Sequence, residues 1–186
     1  MSISYELPKS LEIGGKIIDI RYDFRVILDI ISAINDPDLK SQGLIVTVIK
    51  IFYPDYEHAL KYPEEAFTKA MWFLNGGELP NPNEKPKPAL MDWEQDFKLI
   101  VSPINRTLGY ECRETKELHW WTFLSAYYEI GECLFATVVS IRSKRNEHKK
   151  LEKWEKDFIR NNPELITIKK RYDSETQSEI DDILGL

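Results

Sequence analysis

Three carboxylates open the segment Asp92-Trp93-Glu94-Gln95-Asp96-Phe97, and a cysteine and a histidine follow at Cys112 and His119. Clustered carboxylates can act as general acids and bases or hold a divalent cation. Glu94 lies two positions from each aspartate, however, so the three do not share one helical face. Near a helix start, acids are favoured by the positive end of the macrodipole, which gives them a structural role. A Cys112–His119 dyad would need an orienting acid and an oxyanion site. Glu111 and Glu114 are acids, but nothing in the sequence fixes their geometry. His119 is followed by Trp120 and Trp121, a grouping that could stack nucleobases beside a basic groove. Arg113 and Lys116 are the only close cations, so a hydrogen-bonded packing histidine is the better reading. The run Arg142-Ser143-Lys144-Arg145, continued by Lys149-Lys150 and Lys169-Lys170-Arg171, could bind phosphate. Interleaved Glu147, Glu152, Glu155 and Asp157 make it a solvated helix face instead. No phosphate-binding glycine loop of either common pattern occurs. No catalytic, cofactor-binding or metal-ligating residue is assigned, and a non-enzymatic protein is expected.

The composition agrees. The chain has 186 residues, enough to bury a sizeable core without covalent staples. Its 42% apolar and 30% charged content indicates a well-solvated protein. A net charge of −6 opposes general affinity for nucleic acid. Cys112 and Cys133 form no CxxC pair and no zinc-ligand spacing, and they read as reduced thiols. The opening residues lack the pattern of a signal peptide, and no stretch reaches the roughly 18 apolar residues of a membrane span. A protein made and used inside the cell is expected.

The elements that must position these residues are mainly helical. Leu11 to Ile20 reads as a β-hairpin, with Gly14-Gly15 supplying the positive φ angles of a tight turn. Asp23 is placed to cap a helix striped by Phe24, Ile27, Leu28, Ile31 and Ile34. Leu44, Ile45, Val48, Ile49 and Phe52 stripe a second run, whose β-branched content leaves a strand open for part of it. Pro63 starts a further helix, and Asn75-Gly76-Gly77 ends it. Pro80, Pro82, Pro86 and Pro88 mark residues 78–90 as a linker loop. The next helix carries Trp93, Phe97, Ile100, Val101, Ile104 and Leu108, with Asp92, Asp96, Lys98 and Asn105 off that stripe. Pro103 should kink it, and Gly109 stops it. From Glu117 the chain is apolar on nearly every side, through Trp120, Trp121, Phe123, Leu124, Tyr127, Tyr128 and Ile130. Leu151, Trp154 and Phe158 stripe a shorter helix, with Glu152 and Lys156 spaced as an ion pair.

The expected fold is therefore a helical bundle with a small N-terminal β-hairpin. Its divisions are 1–77 for the hairpin and first helices, 78–90 for the linker and 91–172 for a C-terminal helical lobe. Residues 173–186 form an acidic tail that is expected to be mobile in isolation. Two apolar stripes joined by a short turn should pack Trp93 and Phe97 against Trp121 and Leu124. Five Trp and nine Tyr exceed what a small core needs, and such residues dominate interface hot spots. Trp93, Trp120, Trp121, Tyr127 and Tyr128, with Ile183 and Leu184 of the tail, are the candidate protein-interaction residues.

Asp92-Trp93, Asn105-Arg106, Gly109-Tyr110 and Leu118-His119-Trp120-Trp121 together resemble a family of bacteriophage tail-module proteins, the gp-fifteen type. The likeness runs from the Gly14-Gly15 hairpin to the helix that begins at Leu151. The resemblance implies a tail assembly chaperone, encoded next to the tape-measure protein, in the cytoplasm of an infected or lysogenic bacterium. Its implied partners are the tape-measure protein and other tail assembly proteins, with self-association open. It implies no cofactor, no nucleic acid and no membrane, and it carries over no catalytic residue. The alternative is a structural tail or connector component retained in the virion. A small hydrolase or nucleic-acid enzyme using Cys112, His119 or the Asp92 cluster is the third reading.

Overall fold

The computed structural model describes residues 6–36, 38–39, 41–79 and 88–169. Most of the Pro-rich linker and the whole acidic tail, with Ile183 and Leu184, lie outside them. The described chain is mainly helical with one two-stranded antiparallel sheet. By internal contacts it falls into two compact units. Among the described residues, one comprises 6–79 and 116–124, the other 88–115 and 125–169.

The first unit opens with the hairpin β1 (Ser10–Ile13) and β2 (Lys16–Asp19), in the register Leu11↔Ile18 and Ile13↔Lys16. Gly14 and Gly15 take φ of 55° and 75°, the left-handed pair that suits the twist of the strands. A Cβ on Gly14 would meet the Tyr62 ring at 2.2 Å, so bulk as well as torsion selects glycine there. Alternation turns Ile13 and Ile18 inward and leaves Ile17 exposed. Such a small hairpin needs tertiary support. His58 Nε2 bonds the Ile13 carbonyl at 2.8 Å, Lys69 reaches the Glu12 carbonyl, and Gly14 N–H donates to Glu65.

Helix α1 (Phe24–Ile34) is capped by Asp23 and buries Phe24, Ile27 and Ile30 along one stripe. Helix α2 (Ser41–Phe52) is helical throughout. Its β-branched residues do not produce a strand, because Leu44, Val48, Ile49 and Phe52 recur at helical spacing and are buried. A short turn of helix, α3 (Tyr56–Ala59), leads into α4 (Pro63–Leu74). Tyr53 is buried, its hydroxyl donating to the Ala66 carbonyl of α4 at 2.8 Å.

In the second unit, α5 (Trp93–Leu108) starts at the Asp92 cap and stops at Gly109, whose φ is 79°. The helix runs through Pro103 as one element. A 3₁₀ turn spans Cys112–Glu114. Helix α6 (Trp120–Tyr128) contributes its first five residues to the first unit and its remaining four to the second. Helices α7 (Leu134–Asn146), α8 (Lys153–Asn161) and α9 (Pro163–Ile166) follow. Val138, Ile141 and Ile166 form a core there, lined by Leu99, Leu151, Phe158, Ile159 and Leu165. The ion pair at the start of α8 joins Glu155 to Lys144 at 2.7 Å.

Candidate interaction surfaces

The residues that looked most like chemistry work in the fold. Asp96 and Arg142 are 1% and 3% exposed and face each other. Arg142 Nη1 and Nη2 donate to Asp96 Oδ2 and Oδ1 at 2.6 and 3.0 Å. Its remaining donors reach the carbonyls of Leu90 (3.0 Å), Leu165 (2.5 Å) and Ile166 (3.2 Å). All five guanidinium N–H groups thus have an acceptor, the condition under which a buried charge is tolerated. Asp96 Oδ2 also accepts the Asp92 amide at 3.0 Å, while Asp92 Oδ1 caps the helix through the Gln95 amide at 2.7 Å. Two sequence expectations are corrected here. Asp96 lies on the buried stripe of α5, and Arg142 belongs to no solvated or phosphate-binding face. The signal was available: Arg142 stands four residues after Val138, and Asp96 four before Ile100, each in line with a buried apolar residue.

His119 is a packing residue. Its Nδ1 accepts the Trp121 amide at 3.0 Å, so its Nε2 carries the proton and donates to the Pro8 carbonyl at 2.9 Å. Its ring stacks on Tyr22 with centroids 5.1 Å apart. Burial holds its pKa below the ordinary value. With both nitrogens occupied, His119 is not poised as a base. Cys112 is buried, and its amide donates to Asn105 Oδ1 at 2.9 Å. Asn105 Nδ2 bonds Glu111 at 2.7 Å, and Arg106 reaches the Ile130 carbonyl. Glu111 is pushed down to about 2, first by the Arg113 side chain, then by that residue's amide. Among the described residues no group of His, Cys, Asp and Glu could hold a metal ion. No helix there is long and apolar enough to cross a membrane.

The aromatic candidates divide. Trp120 is 1% exposed and presents no face to a partner, which corrects its reading as an interface residue. Its ring stacks on Phe123, which stacks in turn on Phe24 at 4.5 Å. Its indole N–H donates to the Leu74 carbonyl at 2.8 Å. Trp121 is half-buried and donates to the Phe73 carbonyl at 2.9 Å. Helix C-termini leave their last four carbonyls without intrahelical partners. Here the Asn75, Gly77 and Gly76 amides take those of Met71, Trp72 and Phe73, the Trp121 indole adds a second bond to Phe73, and the Trp120 indole takes that of Leu74. The Trp120-Trp121 pair is a side-chain cap for α4. Trp121 also packs on Trp72 and Phe73, and Leu124 lies against Gly76. Within the first unit, α4 and its terminal turn pack against Trp121 and Leu124.

A surface remains in the second unit. The Trp93 ring lies 4.9 Å from that of Tyr127, which contacts Tyr128 and Phe135 in turn. Trp93 and Tyr127 are half-buried, Tyr128 is 71% exposed, and Leu134 is exposed beside them in sequence order. Burial raises the Tyr127 pKa, so its hydroxyl stays neutral and bonds the Met91 sulfur at 2.9 Å. Leu134 was not among the expected residues, because the sequence gives an apolar helix start no sign of its exposure.

A family model described as Bacteriophage Gp15 protein matches residues 3–173. No curated protein and no solved structure matches the chain.

Proposed function

This chain belongs to the bacteriophage Gp15 family, and we propose that it is a non-enzymatic tail assembly chaperone that binds the tape-measure protein and keeps it soluble. Membership gives the coarser role, a structural or assembly role in a bacteriophage. The observation that carries the finer one is the ring cluster of Trp93, Tyr127 and Tyr128, with Tyr128 open to solvent. Aromatic residues anchored on one side and open on the other are the usual centres of protein interfaces. Contact of this kind is driven by apolar burial, so it holds when surface charges are screened. Modest affinity per subunit, repeated along a long client, gives a coat that still releases stepwise. The work is done in the host cytoplasm. The use of Asp96, Cys112 and His119 in the fold supports a protein without a catalytic set.

Co-expression should raise the soluble yield of tape-measure fragments. A pull-down in about 0.5 M salt should retain them. Tyr128→Ala with Leu134→Ser should lose that retention while keeping the melting temperature. Fragments equally insoluble with and without the protein, and no complex at any salt, would refute the chaperone reading. Stoichiometric presence in purified tails would favour a structural tail component instead.

A further inference from the structure

A second surface has different chemistry. Residues 144–154, from the end of α7 through the turn into α8, hold five cations and two acids in a chain of net charge −6. Three acids there are matched, Glu147 to Lys149, Glu155 to Lys144 and Asp157 to Arg160, and Glu152 pairs with no cation among the described residues. Arg145, Lys150 and Lys153 are exposed and make no ion pair among the described residues. Trp154 stands beside Lys153 with 56% of its surface open. The Lys144–Glu155 bridge and the Lys149 N–H to Lys144 carbonyl bond of 2.8 Å hold the turn against α8. The surface is thus a fixed cationic strip with an aromatic at its end, one that selects an acidic ligand carrying apolar side chains.

We propose that this strip binds residues 173–186 of a second copy of the chain. That sequence carries Asp173, Glu175, Glu179, Asp181 and Asp182, no Lys or Arg, and then Ile183-Leu184. The acids complement Arg145, Lys150 and Lys153, and the apolar pair complements Trp154. The same copy is the competing occupant, since the residues after Lys169 are long enough to reach their own strip, and binding of that kind would leave the protein monomeric. Lys169 is tied by its amide to Gln95 Oε1 at 3.1 Å, and Thr167 O accepts from Gln95 Nε2 at 2.8 Å. The chain therefore leaves from the opening turn of α5, not from the α7–α8 turn. A long polyanion fits less well, because one exposed tryptophan is no stacking track and the rest of the chain is acidic. Each copy offers one strip and one acidic segment, so the contact is heterologous and can propagate. It is independent of the tape-measure reading, since charge pairing fails in salt that apolar capture survives.

Sedimentation of the full-length protein tests this. Wild-type protein should self-associate at about 50 mM salt and dissociate at about 0.5 M. Lys150→Glu/Lys153→Glu and, separately, Asp181→Lys/Asp182→Lys should each weaken association by about tenfold or more. Mixing those two variants should restore it, because each variant's strip then meets a segment of opposite charge on the other. Trp154→Ala should weaken association without altering the charge. Lys150, Lys153 and Trp154 are exposed, so the melting temperatures of their variants should stay as in wild type. A wild-type monomer at all concentrations, unchanged association in either variant, or no restoration on mixing overturns the proposal. Tighter binding of a dT oligonucleotide than of a peptide of residues 173–186 would overturn it too, and give the strip to nucleic acid.

Discussion

Asp23 and Leu118 lie 95 positions apart, and the carboxylate of one holds the backbone of the other, Oδ2 accepting the Leu118 amide at 2.8 Å. Oδ1 of the same side chain caps α1 through the Arg25 amide at 3.0 Å. The Phe24 amide returns a bond to the Leu118 carbonyl, and the Trp120 amide one to the Tyr22 carbonyl. One aspartate thus starts a helix and fixes a distant segment beside it.

Asp23→Ala should cost about 1–2 kcal/mol for the cap, with a further ~1 kcal/mol for the orphaned Leu118 amide. Asp23→Asn should keep most of the cap, since asparagine caps as well as aspartate. Urea denaturation of both variants checks this. Equal stability of Asp23→Ala and wild type would show that the bridge carries no energy.

Removing one member of the buried pair should be worse than removing both. Arg142→Met leaves Asp96 charged and buried, at a cost of about 3–5 kcal/mol. Asp96→Leu/Arg142→Met should recover part of that loss. A double-mutant cycle in which the two costs simply add would mean that the pair is not coupled.

His119 sets a pH dependence. Burial depresses its folded pKa, so below its ordinary value near 6.5 the unfolded chain takes up the proton first. Stability is complete above that pH and falls as pH drops toward the folded pKa. Protonation also puts a second donor on Nδ1, opposite the Trp121 amide. Lys9 opposes the proton, whereas Glu117 and the Pro8 carbonyl favour it. His119→Gln should flatten the fall between pH 7 and 5 in urea midpoints. An unchanged slope would assign it to other groups.

The two tryptophans should separate by probe. Trp120→Phe keeps most of the apolar volume but leaves the buried Leu74 carbonyl unbonded, costing about 1–3 kcal/mol. Trp121→Phe should cost less, because the Phe73 carbonyl still accepts the Gly76 amide at 3.2 Å. Trp120→Ala should cost about 3–5 kcal/mol. Equal melting temperatures for all three would remove the capping role.

Local rules account for what could be read in advance. Gly14-Gly15, the Asp23 cap, Pro63 at a helix start and Gly109 at a helix end each act within a few residues, and each stands where its chemistry requires. The misreadings share one cause. Arg142 and Asp96 are charged, so they were assigned to water, yet each sits at helical spacing from buried apolar neighbours and finds a partner 46 positions away. Trp120 and Trp121 looked like surplus aromatics because their acceptors, the Phe73 and Leu74 carbonyls, lie more than forty residues upstream. Of the interaction surface, the aromatic types were legible. Which of them open to solvent was not, because that depends on contacts that sequence spacing does not carry.

The capping of α4 by two indoles has a consequence for the order of events on the ribosome. Residues 6–79 emerge before 116–124, with Phe24 lacking Phe123 and the Leu74 carbonyl lacking the Trp120 indole. The intervening α5 segment must be made before 116–124 can close that core. During this interval a nascent chain shows apolar surface that the finished protein hides, and it is then that aggregation competes with folding.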